Sequence, residues 1–293
     1  MGRSLALTKS ARATCDTEEV LTSNGYQLSE TPQRLGSLQP VPAADRESRE
    51  ALWQRLDTDG YLLLRDFLDP EAVNRFRRFY FGRLAEAGLR EDGSGEVDQA
   101  KLRHILFREI VPGPEYEAFC RQPVIVEFFS WLLGDDVHLH RRKILRHTRP
   151  GDSGIGQATQ AHYDLLYLRG GTDEVLTLWI PLGDCPVSLG SLVYLEGSHR
   201  WVRTEEAAGV RKRPAASITA DLPGLADDHD GRWLITDYAA GDVMVHTAHM
   251  VHAALDNVDP AHRMRLSTDI RYQRVSDSID ARWQNDWHDR DGL

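Results

Sequence analysis

The feature that most constrains this chain is a change in hydrophobic period. Up to about residue 134 the apolar residues recur at helical spacing, and from Val137 onward they alternate. Leu52, Trp53 and Leu56 form a short apolar stripe that stops at Asp59-Gly60, where residues 61–64 read as a buried strand. Asp69-Pro70-Glu71 supplies an N-cap acid, a first-turn proline and a second acid suited to the helix dipole. The helix that follows carries Val73, Phe76, Tyr80 and Leu84 inward and ends near Gly88. Pro123 opens another, with Ile125, Phe128, Phe129 and Leu132 inward and Gly134 as the stop. Residues 137–147, 175–182, 192–195, 243–246 and 265–272 read as strands. Residues 91–99, 149–156, 183–190 and 220–231 read as loops.

Helices first and spaced strands afterwards predict a β-rich α+β fold. A double-stranded β-helix core (jelly-roll or cupin-like) with helices packed on one face satisfies the pattern. Residues 1–44 lack periodicity and are expected to be a flexible or loosely docked arm, leaving residues 45–293 as the domain. No internal repeat is visible.

A formal charge of −10 excludes a phosphate-neutralising nucleic-acid binder. The short basic runs Arg141-Arg142-Lys143 and Arg211-Lys212-Arg213 are expected to be solvated surface. Cys15, Cys120 and Cys185 are odd in number and scattered, so neither a disulfide framework nor a zinc knuckle is indicated. With no secretory signal and no apolar run long enough to span a bilayer, a cytoplasmic protein acting on a small molecule is expected.

The candidate chemistry starts at His162-Tyr163-Asp164. On an extended segment residues i and i+2 share a face, so His162 and Asp164 present an imidazole and a carboxylate to one point. A histidine from a distant strand would complete two histidines and one carboxylate, which leaves positions open for oxygen activation on iron(II). His246, His249 and His252 all stand in one later segment.

Four stretches together resemble the phytanoyl-CoA dioxygenase superfamily, in its bacterial natural-product hydroxylase branch. They are residues 59–71, the His162-Tyr163-Asp164 triplet, residues 178–182 with 189–199, and Gly241-Asp242 ten residues ahead of His252, followed by Asn257 and residues 263–267. The resemblance implies iron(II), 2-oxoglutarate and O2 as cofactor and co-substrates, with His162, Asp164 and His252 holding the metal. It implies that Arg263 or Arg265 grips the far carboxylate of 2-oxoglutarate, with Arg265 preferred, and that Thr177, Trp179 and Gln160 shape that pocket. Strand parity puts His246 on the inward face, lining the pocket, and turns His249 away. Arg146, Arg271, Tyr163 and Tyr167 are candidate substrate contacts, and Trp283 and Trp287 either close over the pocket or anchor the tail. Halogenases of this chemistry lack the carboxylate ligand, so Asp164 implies hydroxylation or a related oxidation. The alternatives are a cupin-like metal-dependent isomerase or hydrolase that does not use 2-oxoglutarate, and a non-catalytic binding protein on the same fold.

Overall fold

A computed structural model describes residues 20–151, 157–210 and 216–288. Cys15, residues 211–213 and most of the 149–156 loop lie outside the described residues. The strands are β1 (Thr22–Ser23), β2 (Tyr26–Gln27), β3 (Leu35–Ser37), β4 (Tyr61–Leu64), β5 (Val137–Leu139), β6 (Ile144–Thr148), β7 (Leu176–Pro181), β8 (Leu192–Leu195), β9 (Trp233–Ile235), β10 (Val243–Thr247), β11 (His252–Ala254) and β12 (Arg265–Arg274). The α-helices are α1 (Arg49–Thr58), α2 (Pro70–Leu84), α3 (Gln99–His104), α4 (Pro114–Cys120), α5 (Pro123–Leu133), α6 (Ser198–Ala207) and α7 (Leu222–Asp228).

The larger sheet runs β4-β10-β7-β12-β5, with β6 also paired to β12, and the smaller runs β11-β8-β9-β3. Alternation along the strands decides what each face meets. Leu178, Ile180, Val243, Val245 and Ile270 point outward from the larger sheet into a core shared with Phe76, Tyr80, Tyr116 and Phe129 of the helices. Trp179, Met244 and Leu63 point the other way and meet Leu192, Tyr194 and Leu234 of the smaller sheet. The two sheets therefore pack face to face, and the space between them holds the site described below.

Helices were expected on one face only. The larger sheet carries most of them, but α6 and α7 cover the outer face of the smaller sheet, where Val202, Leu222 and Leu225 pack on Val193, Leu195 and Trp233. The stretch read as a 220–231 loop contains α7, capped by Asp221, whose side chain accepts from the Gly224 amide. Residues 137–147 form two strands rather than one, because residues 141–143 leave the ladder with β12 between β5 and β6. Among the described residues, regular structure is already present at Thr22, ahead of the start expected near Asp45. Gly36 and its neighbours add β3 as a parallel edge to β9, and Leu28, Leu38 and Val41 are buried. The Arg141-Arg142-Lys143 run is only partly surface: Arg141 is exposed, whereas Arg142 and Lys143 are buried. No described helix is long and apolar enough to cross a membrane.

Capping follows the sequence closely. Asp69 accepts from the Glu71 amide with Pro70 in the first turn, Ser48 accepts from the Ala51 amide, and Gly134 ends α5 in the left-handed region. Gly241-Asp242 is a structural corner. Gly241 has φ +102°, and a Cβ there would sit 2.5 Å from the Leu68 carbonyl oxygen. Asp242 accepts from Arg65 at 2.6 Å and from the amides of Asp66 and Ala239. Gly241→Ala is expected to cost about 1–3 kcal/mol of stability, read as a lower urea midpoint at unchanged slope.

Candidate functional site

His162 and His252 come from segments 90 residues apart in sequence, yet they face each other across an isolated antiparallel bridge. Each amide donates to the other's carbonyl, at 3.0 and 2.9 Å, so the pair is in full register and both rings emerge on one face. The ring centroids are 4.3 Å apart. His162 Nδ1 lies 2.8 Å from the Gln160 carbonyl oxygen, and His252 Nδ1 lies 3.0 Å from that of Met250. A carbonyl can only accept, so both Nδ1 atoms carry the proton and both Nε2 lone pairs are left for a metal. Burial, outweighing Asp164, lowers the His162 pKa; burial, then the neighbouring His162 and His246, push His252 well below the ordinary value. Both rings are therefore neutral, the ligating form.

Asp164 completes the set. Tyr163 between them is extended (φ −124°, ψ 148°), which returns Asp164 to the face of His162 and sends Tyr163 the opposite way. The donor atoms of His162, Asp164 and His252 all lie within 4.8 Å of one another. Beneath the carboxylate, Arg271, Thr177 and His246 stand side by side on β12, β7 and β10, as direct cross-strand partners. Arg271 Nη2 donates to Asp164 Oδ1 at 3.0 Å, the Thr177 hydroxyl donates to Oδ2, and His246 Nε2 is 3.5 Å from Oδ2. Burial by itself would raise the Asp164 pKa, but the Arg271 guanidinium, with His246 close to Oδ2, outweighs it and holds the carboxyl well below its ordinary value.

The triad opens on a cavity of about 330 Å³ between the sheets. Alternate residues of β12, namely Arg265, Ser267, Asp269 and Arg271, form one wall with Arg146 and Trp179 from neighbouring strands, while Leu192 comes from the facing smaller sheet and Gln160 and Tyr167 from the loops. The two candidate arginines separate here. Arg265 is 3% exposed and lines the cavity, its Nη1 donates to the Gly190 carbonyl, and its Nε has no partner among the described residues. Arg263 stands before the strand begins, with its side chain 48% exposed and paired to Asp259 at 2.6 Å. It does not reach the cavity. Asn257 secures that turn by donating to the carbonyls of Arg263 and Thr148.

Two further expectations are corrected. Tyr163 does not line the cavity: its hydroxyl donates to Glu206 at 2.6 Å within the core behind the smaller sheet. His246 faces inward but lies behind Asp164, with Nδ1 3.3 Å from the Tyr194 hydroxyl, and it too is absent from the lining. His249 meets Asp173 at 3.5 Å, away from the cavity. Of the two C-terminal tryptophans, Trp283 lines the cavity while Trp287 packs edge-on against Phe107. Asp269 and Ser267 were not singled out from the sequence, and Arg142 was read there only as part of a solvated basic run. Asp269 and Ser267 share the parity of Arg265 and Arg271, which is the signal that would have found them.

Two neutral imidazoles and one ionised carboxylate, with room beside them, make up the donor set of non-haem iron(II) oxygenases. The model of the phytanoyl-CoA dioxygenase (PhyH) family matches residues 56–265, and the chain belongs to that family of iron(II)- and 2-oxoglutarate-dependent dioxygenases. A 1-deoxypentalenic acid 11-beta-hydroxylase from Streptomyces exfoliatus is 25% identical over 244 residues, covering 78% of this chain and 83% of the relative. An ectoine dioxygenase from Nocardia farcinica is 26% identical over 227 residues, covering 72% and 73%. The fold is shared with the non-heme alpha ketoglutarate dependent carbocyclase SnoK from nogalamycin biosynthesis, at TM-score 0.56 and 24% identity over 83% of this chain and 89% of that one. It is shared too with the epimerase SnoN in complex with Fe3+, alpha ketoglutarate and nogalamycin RO, at TM-score 0.55 and 20% identity over 79% and 86%.

Proposed function

We propose that this protein oxidises, most simply by hydroxylation, a C–H bond of a small organic, secondary-metabolite type of substrate, with 2-oxoglutarate converted to succinate and CO2. On this reading His162, Asp164 and His252 hold iron(II), and Arg265 holds the far carboxylate of 2-oxoglutarate on a double-stranded β-helix scaffold. The observation that carries it is the pairing of the His162–Asp164–His252 set with a buried, cavity-facing Arg265. Iron(II) with 2-oxoglutarate supplies the activation of O2. The chain orients and shields: Arg271, Thr177 and His246 hold the Asp164 carboxylate ionised and aimed, and the Gln160 and Met250 carbonyls hold both imidazoles in one tautomer. Trp179 and Leu192 line the cavity with apolar surface that limits water.

The named relatives support a small-molecule substrate: one is a hydroxylase of 1-deoxypentalenic acid and another an ectoine dioxygenase. SnoK and SnoN, named as a carbocyclase and an epimerase, indicate that this fold supports more than one oxidative outcome. A metal isomerase or hydrolase without 2-oxoglutarate would give Arg265 no anion to hold, and the family match counts against it.

The test is an anaerobic titration with iron(II) and then 2-oxoglutarate, followed by visible absorption. A metal-to-ligand charge-transfer band is expected in the wild-type protein and absent from His162→Ala. An iron-loaded, folded wild type without the band would end the 2-oxoglutarate reading.

A further inference from the structure

Of the four β12 residues in the cavity wall, Arg271 is paired with Asp164, and Arg265 is the residue assigned to 2-oxoglutarate. Ser267 and Asp269 stand between them, and neither the holding of iron nor that of 2-oxoglutarate uses them. Asp269 is 9% exposed, and among the described residues no hydrogen bond or ion pair reaches its carboxylate. Ser267 is 1% exposed, and its hydroxyl has no hydrogen-bond partner there either. A carboxylate and a hydroxyl buried in this way cost free energy unless a ligand satisfies them.

Register shows what surrounds them. Arg271, Thr177 and His246 make the row beneath Asp164. Asp269 lies in the next row, two residues or about 7 Å along the strand. It stands opposite Trp179 of β7 on one side and Ile144 of β6 on the other, and Leu192 lines the same cavity from the smaller sheet. The acceptor is thus set in apolar surroundings, and it is not one of the three metal-holding residues. Its charge is felt by Arg265 and Arg271 on its own strand face. An ammonium brought to Asp269 would meet both guanidiniums, whereas a neutral donor meets no such repulsion. A carboxylate only accepts, and a serine hydroxyl both donates and accepts. An alcohol answers both through one oxygen atom and brings no charge.

Building on the iron and 2-oxoglutarate reading, we infer that Asp269 and Ser267 form a subsite for a hydroxyl group on an otherwise apolar substrate. That hydroxyl donates to the Asp269 carboxylate and accepts from Ser267, and the carbon skeleton next to it packs on Ile144, Trp179 and Leu192. The substrate is thereby held by a neutral polar handle one row from the residues that support Asp164.

The experiment uses the full chain loaded anaerobically with iron(II) and saturating 2-oxoglutarate, so that Arg265 is occupied and no turnover occurs. Calorimetric titrations with benzyl alcohol, benzyl methyl ether and benzylammonium compare one ring carrying a hydroxyl, the same oxygen without its proton, and a cation. The alcohol is expected to bind roughly tenfold more tightly than the ether, and more tightly than the ammonium. Asp269→Leu is expected to bring the alcohol down to the level of the ether, Asp269→Asn to leave a preference of about threefold, and Ser267→Ala to weaken the alcohol about threefold, all with the ether unchanged. Asp269→Asn and Ser267→Ala keep the shape of the wall, so they still read the subsite if Asp269→Leu does not fold. Ether and alcohol binding alike, tighter binding of the ammonium, no binding of any probe, or an alcohol preference untouched by the Asp269 variants would overturn the inference. The charge-transfer band in the same samples separates the failures. Without it in the wild type, the iron and 2-oxoglutarate reading falls; with it but no alcohol preference, only the subsite does. A band lost on changing Asp269 alone would assign that residue to the co-substrate and overturn the subsite as well.

Discussion

Arg265→Gln is expected to weaken 2-oxoglutarate binding by about 30-fold or more, and Arg263→Gln to leave it within about twofold of wild type. The difference rests on position, since the residue type is the same. Arg265 is buried in the cavity wall with an unpartnered Nε, so an incoming carboxylate gains charge-assisted hydrogen bonds that water does not contest. Arg263 already has its carboxylate in Asp259, and its side chain is half exposed. The 2-oxoglutarate dependence of the charge-transfer band, taken on both variants, decides the matter. Equal weakening in the two would mean that Arg263 swings inward on binding; no weakening in Arg265→Gln would remove the co-substrate role given to that residue.

The second large effect falls on Asp164. Asp164→Asn keeps the shape and deletes the charge, leaving the Arg271 guanidinium 3% exposed without its closest carboxylate. Breaking a buried ion pair from one side costs about 3–5 kcal/mol, so the metal-free variant is expected to unfold at clearly lower urea. It is also expected to lose iron affinity by more than the roughly 10–100-fold that removing a partner of a metal ligand costs. The Asp164 pKa is depressed in the fold, so its stabilising contribution is complete above the ordinary unfolded value of about 4. That contribution is lost as pH falls through the lower folded value. The stability gap between wild type and Asp164→Asn is accordingly expected to be full at pH 7 and to close only in acid. Equal urea midpoints at pH 7 would show that Arg271 is compensated by something other than Asp164.

Much of this site was legible because parity is a local property. His162 and Asp164 share a face because Tyr163 is extended, and Arg265 and Arg271 share one because β12 is regular; neither statement needs the rest of the molecule. The helix starts at Asp69-Pro70 and Pro123 were equally local, as was the stop at Gly134. Strands as short as β3 and β9 were not legible. β3 and β9 are three residues each and read as strands only beside one another, across about 200 residues of chain. Arg142 was misread for a related reason: a charged run looks like surface until the segment carrying Trp283 folds over it.

By itself the sequence determined which residues share a face along each strand, where the helices begin, and that two histidines and a carboxylate were available for iron. Tertiary structure alone decided depth and register. It put His252 opposite His162 across a bridge, and it aligned Arg271, Thr177 and His246 in one row under Asp164. It also turned Arg263 out to Asp259 while sealing Arg265 in the wall. The physical reason is that alternation tells a side chain which face of its own sheet it occupies. What lies across that face is set by pairing between strands far apart in the chain, and burial and electrostatics follow from that pairing.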